Sequence, residues 1–272
     1  MDLSRVAVSH ITTTKWDLPT ALERYKAHGL GGFGPWRDKL QSYGFEAAVD
    51  VIKRSGLGVA NYCAAGFFTM GETACQEAVD AAVEQAIQAM DEQKLLGAPC
   101  LVTVVGPVGC YTVDSAMDVI MDSLRRVAKA AEEREVDLGL EVLHPMDITT
   151  WSMVRTIHQG LDIIEEIDSP RLGLMLDLYN TWWDPEIKSG ILRAGSRIKG
   201  VHLADWRNPT RSFTDRTVPG RGIIPLADLI GELEDTGWKG YYDVEIFSDE
   251  LWESDYDLML DDIVHWFQKL DV

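Results

Sequence analysis

Four ionisable residues, each at the end of a short apolar run, carry the strongest chemical signal in this sequence. The runs read LGLE, LMLD, GVH and YDVE, and their last residues are Glu141, Asp177, His202 and Glu245. A carboxylate in apolar surroundings must be ion-paired or metal-bound, because an isolated buried charge is very costly. Three carboxylates that converge without a cation repel one another, which raises their pKa values. One divalent cation bound by all four residues removes this conflict.

The donor types indicate which metal such a site prefers. Three carboxylates and one imidazole suit Mn²⁺, Mg²⁺, Co²⁺ or Zn²⁺, and the mostly oxygen shell favours Mn²⁺. Taken singly, each residue has a simpler interpretation, since an acid near a strand end commonly forms a surface ion pair and a lone histidine commonly packs in a core. The repetition of the pattern in four consecutive predicted strands favours the metal.

The elements that must position these residues alternate between short β-branched runs and longer amphipathic segments. Strands are predicted at Val6–Thr12, Gly31–Trp36, Gly58–Ala64, Cys100–Gly106, Asp137–Leu143, Leu172–Leu178, Ile198–Leu203 and Tyr242–Phe247. Helices are predicted at Leu18–His28, Phe45–Ser55, Glu72–Leu96, Asp114–Glu133, Ser152–Ile167, Pro185–Ala194, Leu226–Thr236 and Asp255–Leu270.

Eight β-then-α units in 272 residues predict an α/β fold, a single (β/α)₈ TIM barrel domain over residues 1–272. An open α/β sheet is the alternative. In such a barrel the active site lies at the C-terminal ends of the strands, which is where the four ionisable residues fall. No GxGxxG lies directly between the first strand and the helix that follows it, and no GxxxxGK[ST] occurs, so neither dinucleotide nor P-loop chemistry is indicated.

Composition and charge narrow the classes of partner. Hydrophobic residues make up 46% of the chain, enough for a sizeable core. The formal net charge of −19 disfavours nucleic acid and anionic membranes, because both repel an acidic surface. No apolar run of about 18 residues predicts a membrane span, and the N-terminal residues lack the pattern of a secretory signal. Four scattered cysteines indicate reduced thiols, so we expect a cytoplasmic protein.

Five segments of the chain resemble the xylose isomerase-like barrel superfamily, the sugar isomerases and epimerases that also include endonuclease IV. They read LEVLHPMD, LMLDLYNTWWDP, VHLADWRNPTR, DRTVPGRGIIPL and DVEIFS, and they look like the subgroup labelled sugar phosphate isomerase/epimerase. The resemblance covers nearly the whole chain and is strongest from Leu140 to Trp252. It implies metal ligands at the four positions named above. It also implies that Glu141 and Glu245 move protons at a carbon next to a substrate carbonyl, through a metal-stabilised enediolate.

Two positions depart from the family's pattern. Many relatives place a histidine three residues after the aspartate ligand, where this chain has Asn180. Epimerases of the tagatose type often place an arginine six residues past the histidine ligand, where this chain has Asn208 between Arg207 and Arg211. Substrate contacts at these places must differ from those of a simple free-ketose epimerase.

Further candidates lie near the predicted strand ends. His144 follows Glu141 and is a candidate proton shuttle or hydroxyl ligand, with a packing role as the alternative. The candidate substrate-binding residues are Trp36, Arg37, Phe68, Asn180, Trp182, Asp205, Arg207 and Arg211. Aromatic faces suit the C–H faces of sugars, although such residues equally form lids or subunit contacts. The polar segment 207–222 has the character of a substrate-binding lid or of an ordinary solvated loop.

These observations predict a metal-dependent isomerase or epimerase of a keto-sugar or related polyhydroxy carbonyl compound. The alternative is a lyase or dehydratase that acts on an inosose or a 3-keto-glycoside with the same first step. An endonuclease IV-like DNA repair enzyme is disfavoured by the charge, by Asn180 and by only six histidines in the chain. A non-catalytic binding barrel is disfavoured by the intact ligand set. The expected partner is a small-molecule carbohydrate, and the chain is a candidate homodimer.

Overall fold

The computed structural model describes residues 1–71 and 75–271. The strands are β1 Val6–Ser9, β2 Gly32–Gly34, β3 Gly58–Val59, β4 Tyr62–Gly66, β5 Leu101–Val104, β6 Leu138–Glu141, β7 Leu172–Asp177, β8 Ile198–Leu203, β9 Asp205–Trp206, β10 Arg216–Thr217 and β11 Tyr242–Val244. The helices are α1 Leu18–Ala27, α2 Arg37–Tyr43, α3 Phe45–Ser55, α4 Gln76–Leu96, α5 Val113–Arg134, α6 Ile157–Ile167, α7 Leu178–Thr181, α8 Ile187–Ala194, α9 Leu226–Asp235 and α10 Tyr256–Lys269.

Nine of the strands form one parallel barrel sheet, in the order β3-β2-β1-β11-β8-β7-β6-β5-β4. The first and last strands along the chain are neighbours, with Val6 opposite Tyr242. The strands β3 and β4 together occupy the position of the third barrel strand. Its first part pairs with β2 and its second part with β5, and a parallel bridge between Trp36 and Cys63 joins the two edges. The predicted (β/α)₈ TIM barrel is therefore confirmed.

The helices cover the outside of the sheet with their apolar faces. In α6, the residues Ile157, Leu161 and Ile164 are buried, at the i, i+4, i+7 spacing that places them on one face. The side chain of Thr156 accepts a hydrogen bond from the Gln159 amide and so caps this helix. Inside the barrel, a second apolar cluster fills the space beneath the strand ends, formed by Cys63, Cys100, Val102, Val104, Leu143 and Met175.

Several predicted boundaries are wrong in ways that follow from local packing. The predicted strand Val6–Thr12 ends at Ser9, where a 3₁₀ turn places the Thr12 hydroxyl against the Val244 carbonyl. The predicted helix Ser152–Ile167 starts only at Ile157, because the chain first forms a 3₁₀ turn and a bridge between Ser152 and Gly106.

Other differences concern elements that the sequence did not indicate. The second unit contains an additional helix, α2, and the third strand is divided at residues 60–61. The small antiparallel pair β9–β10 was not predicted at all. The first residues of the predicted helix Glu72–Leu96 lie outside the described residues. Within the described residues, no helix has the length and apolar character needed to span a bilayer.

Candidate metal centre and substrate cavity

The barrel strands bring the four predicted ligands to one place at their C-terminal ends. Glu141 ends β6, Asp177 ends β7, His202 is the penultimate residue of β8, and Glu245 directly follows β11. Asp177 is paired in register with His202 across β7 and β8. The four side chains are almost completely buried, at 5% exposure or less. Because successive side chains of a strand point to opposite faces of the sheet, all four can point towards the barrel axis.

The donor atoms fit a single divalent cation. One ligand atom from each of the four side chains lies within 4.8 Å of the others. Donors bound to one cation at about 2.1 Å lie up to about 4.2 Å apart, so small side-chain movements bring the set onto one ion. The His202 Nδ1 atom faces this cluster, 3.1 Å from Glu141 Oε1 and 3.7 Å from Glu245 Oε1.

Charge crowding in the cluster shows in the pKa values. Burial raises the pKa of Glu141 to about 7, and the carboxylates of Glu245 and Asp177 add to this rise, although His202 opposes it. Burial alone would lower the pKa of His202, but the Glu245 and Glu141 carboxylates outweigh it and raise that pKa to about 10. A group of acids that needs a protonated partner in this way is suited to a metal ion.

The Asp177 carboxylate is oriented by the chain that follows it. Its Oδ1 atom accepts a hydrogen bond of 2.7 Å from the Tyr179 amide, at the start of the short helix α7. Its Oδ2 atom accepts one of 2.6 Å from the Asn180 side-chain amide. Asn180 therefore contacts a candidate ligand directly.

A second carboxylate, which the sequence did not indicate, lies behind His202. Asp243 is fully buried, and its Oδ2 lies 3.6 Å from His202 Nε2 and accepts a 2.7 Å hydrogen bond from the Asn61 amide. Asp243 fits there because Gly34 has no side chain, since a Cβ at that residue would lie 2.0 Å from Asp243 Oδ2. Asp243 Oδ2 and the Asn61 side-chain amide, 3.1 Å from Nε2, thus hold the edge of the imidazole that faces away from the cluster, which orients the ring.

This arrangement predicts that Asp243→Asn lowers metal affinity by about 10-fold to 100-fold, because the imidazole loses the carboxylate that orients it. The measurement is competition with a chelating dye at fixed pH. The exposed Asp162→Asn on α6 is the matched control. Equal metal affinity in Asp243→Asn and the wild type would contradict the orienting role.

A buried arginine completes the polar floor and was not among the predicted site residues. Arg216, in β10, donates from Nη1 to Glu245 Oε2 at 3.1 Å and lies 3.4 Å from Asp177 Oδ2. Its guanidinium lies over the rings of Tyr179 and Phe247, 4.3 Å and 4.8 Å from their centroids. The only sequence signal for it was its place in the arginine-rich segment 207–222.

A cavity of about 250 Å³ opens beside the cluster and is lined by two of the four candidate ligands, Glu141 and Glu245. Its polar lining includes Glu141, Glu245, Asn180, Arg216 and Asp147. Asp147 was also missed by the sequence, although it lies in the quoted segment LEVLHPMD. Burial raises its pKa to about 6, and its carboxylate makes no hydrogen bond with any described residue. This acid is therefore available to a molecule in the cavity.

Three of the predicted substrate-binding residues line this cavity, namely Trp36, Arg37 and Asn180. The Trp36 indole donates a 2.9 Å hydrogen bond to Ser9, which fixes its ring at the wall. The Arg37 guanidinium makes two hydrogen bonds to Glu92, of 2.7 Å and 3.0 Å.

The other predicted substrate-binding residues lie outside this lining. Phe68 is buried in the core, and its neighbour Phe67 lines the cavity instead. Trp182 packs against Trp206, with ring centroids 5.7 Å apart. His144 packs against the same ring at 5.1 Å, and its Nδ1 accepts a hydrogen bond from a backbone amide. Substrate or proton-transfer roles for these residues remain predictions.

The polar segment 207–222 is held by the remaining three predicted residues. The Asp205 carboxylate accepts hydrogen bonds from the amides of Gly220 and Gly222, both at 2.9 Å, and it also bonds the Ile224 amide. Arg207 and Arg211 form ion pairs with Asp215 and with Glu250. These contacts fold the segment down over the barrel, which inserts Arg216 beside the cluster.

Comparison with known proteins agrees with this architecture. A family model described as xylose isomerase-like TIM barrel matches residues 22–270. The chain belongs to this family. A solved structure from Sinorhizobium meliloti 1021 superposes with a TM-score of 0.93 and 30% identity, covering 98% of each chain. The IOLI protein, solved with a bound zinc atom, shares the fold at a TM-score of 0.83 and 21% identity, covering 98% of this chain and 97% of that one.

Curated members of the family match this chain over shorter stretches. The D-psicose 3-epimerase of Enterocloster bolteae is 30% identical over 126 residues, which cover 46% of this chain and 38% of that enzyme. The matched stretch is thus less than half the length of this relative. Other relatives include 3-dehydroshikimate dehydratases, fructoselysine 3-epimerases, an inosose isomerase and, at 28% identity, a probable endonuclease 4. The relatives are thus mostly enzymes that act on small polyhydroxy compounds.

Proposed function

We propose that this protein is a metal-dependent isomerase or epimerase of a polyhydroxy carbonyl compound, acting by proton transfer at the carbon next to the carbonyl. The observation that carries the proposal is the convergence of Glu141, Asp177, His202 and Glu245 in one cluster, of which Glu141 and Glu245 line a cavity of about 250 Å³. Epimerases among the relatives support the same reaction class.

The metal would be held by these four side chains, and Mn²⁺ is the ion that we propose because three of the four donors are carboxylates. When bound, it supplies a Lewis acid that polarises the substrate carbonyl and balances the charge left by proton removal. The zinc atom in the IOLI structure makes Zn²⁺ the first alternative to test.

Glu141 and Glu245 are the proposed proton carriers. Both line the cavity, from β6 and from the residue after β11. Glu141 Oε1 is directed toward His202, whereas its Oε2 accepts no hydrogen bond from a described residue and is therefore the oxygen proposed to take or give a proton. One carboxylate removes the proton next to the carbonyl and the other returns a proton, with roles that exchange when the reaction runs in reverse.

Arg216 is proposed to bind the substrate, and Asn180 is proposed to orient the candidate ligand Asp177. Arg216 uses Nη1 for Glu245 and Asp177, and neither its Nε nor its Nη2 hydrogen-bonds to residues 1–71 or 75–271. Its remaining donors can therefore bind a substrate hydroxyl or carbonyl oxygen. Asn180 orients Asp177 from within the cavity lining.

A lyase or dehydratase is the second candidate, and Asp147 is the observation that favours it. Its pKa of about 6 leaves part of this carboxyl group protonated near neutral pH. A free carboxylic acid in the cavity is suited to protonate a departing hydroxyl after the shared proton-abstraction step. Dehydratases among the relatives support the same possibility.

The test is proton exchange in D₂O. The protein loaded with Mn²⁺ and the protein treated with a chelator are each incubated with keto-hexoses, inososes and 3-keto-glucosides. We expect deuterium at the carbon next to the carbonyl only with the metal-loaded protein. A new epimer or ketose identifies an isomerase, and loss of water or of the aglycone identifies a lyase. If no compound gains deuterium, both functions are refuted.

A further inference from the structure

Among the described residues, each cationic side chain that lines the cavity is already ion-paired with an acid. Two arginines line it, and Arg37 is paired with Glu92 while Arg216 is paired with Glu245 and Asp177. The arginines Arg207 and Arg211 at the outer segment are paired with acids of their own. Against these cations, the lining carries four acids, which are Asp38, Glu141, Asp147 and Glu245. A phosphate dianion would add charge without gaining a partner.

The two sides of the cavity differ sharply in polarity. The lining contributed by β4, β5 and the residue after β4 is entirely apolar, and consists of Cys63, Ala64, Phe67 and Val104. The Cys63 thiol adds no charge, because burial and nearby carboxylates raise its pKa well above the usual value. Most hydrogen-bonding groups come instead from the side of β6, β7, β10 and β11, and Arg37 and Asp38 at the start of α2 supply the others.

Aromatic rings extend the apolar side in two groups. Phe67 packs against Trp151, with ring centroids 6.2 Å apart. Phe247 packs against Trp36 at 5.5 Å and against Phe213 at 6.4 Å. All five rings line the same cavity. Such an area exceeds what one C–H face of a sugar ring covers, and it suits a flat or branched apolar group.

We propose, on the basis of the function proposed above, that the substrate is amphipathic and unphosphorylated. Its keto-polyol part lies over Glu141 and Glu245, and an apolar substituent, such as the aryl group of a keto-glycoside, lies against Phe67 and Trp151. The reaction centre and the apolar group are then recognised by opposite sides of one cavity. Free hexoses are poor substrates, because they have no apolar group to contact the aromatic rings. Sugar phosphates are poor substrates, because the phosphate group finds no unpaired cation among the described lining residues.

The test compares three 3-keto-glucosides, with a phenyl aglycone, with a methyl aglycone, and with a methyl aglycone plus a 6-phosphate. Dissociation constants are measured by titration calorimetry with the Mn²⁺-loaded protein. We expect the phenyl compound to bind at least 10-fold more tightly than the methyl compound, because the ring buries apolar area. We expect the phosphorylated compound to bind at least 10-fold more weakly than the methyl compound.

Two variants assign the preference to the apolar side. Phe67→Ala is expected to reduce the phenyl-to-methyl preference at least 5-fold. The control is Leu192→Ser, whose side chain is exposed on α8 outside the cavity, and it should keep the wild-type preference. Thermal melting of both variants confirms that each is folded.

The outcomes separate this inference from the proposed function. Equal affinity for the phenyl and methyl compounds, tighter binding of the phosphorylated compound, or binding of none of the three overturns the inference. A phenyl preference without deuterium exchange overturns the proposed reaction and leaves the substrate class standing. Deuterium exchange without a phenyl preference overturns the inferred substrate class and leaves the proposed reaction standing.

Discussion

Asp177→Ala is expected to remove the bound metal and to lower turnover on the order of a thousandfold. The reason is that Asp177 supplies a fully buried carboxylate to the cluster, and its loss leaves only three side chains to bind the ion. The measurement is metal content by elemental analysis of the purified protein, together with the rate of deuterium exchange. His202→Ala should give the same two losses.

Because Asp177 also accepts hydrogen bonds from α7, its variants need a test of folding. Asp177→Asn retains an acceptor for the Tyr179 amide and should melt closer to the wild type than Asp177→Ala does. The exposed Asp162→Ala on α6 controls for the loss of one acid elsewhere. Full metal content in a folded Asp177→Asn or His202→Ala protein would contradict the site.

Arg216→Met is expected to lower turnover by about 100-fold while metal affinity stays the same or rises. The variant removes a cation that lines the cavity and pairs with Glu245 and Asp177, and it keeps most of the side chain's volume. Without metal, the two carboxylates lose their partner, which destabilises the fold by about 3 kcal/mol. A bound divalent cation compensates for that loss.

The measurement is the melting temperature with and without Mn²⁺, together with the exchange rate. The increase in melting temperature on adding Mn²⁺ should be larger for Arg216→Met than for the wild type. Arg221→Met is the matched control, since Arg221 lies in the same segment, is mostly exposed and pairs with Asp262. An unchanged exchange rate in Arg216→Met would show that this guanidinium does not contact the substrate.

The contrast between Arg216 and its neighbours also changes the interpretation of the arginine-rich segment. The sequence predicted Arg207 and Arg211 as the substrate contacts. In the structure both pair with Asp215 and Glu250. They fasten the segment, and the arginine that reaches the floor is Arg216. Mutations at Arg207 and Arg211 are therefore expected to act mainly through the position of this segment.

The amino-acid sequence by itself determined the barrel and the four candidate ligands. Both depend on short-range patterns, since an apolar run of four to six residues predicts a buried parallel strand and an ionisable residue at its end must lie at the rim of the barrel. Because parallel strands end at the same edge, the convergence of Glu141, Asp177, His202 and Glu245 follows from their positions within the runs. No long-range contact had to be known.

Only the tertiary structure decided what surrounds these ligands. Asp243 lies against His202, Asp147 faces the cavity and Arg216 reaches the cluster through contacts between segments far apart in the chain. Phe67 rather than Phe68 lines the cavity, because the backbone at Phe67 adopts a φ of 55° and turns its side chain inward. Such placements depend on loop paths and ion pairing across the fold, which periodicity in the sequence does not encode.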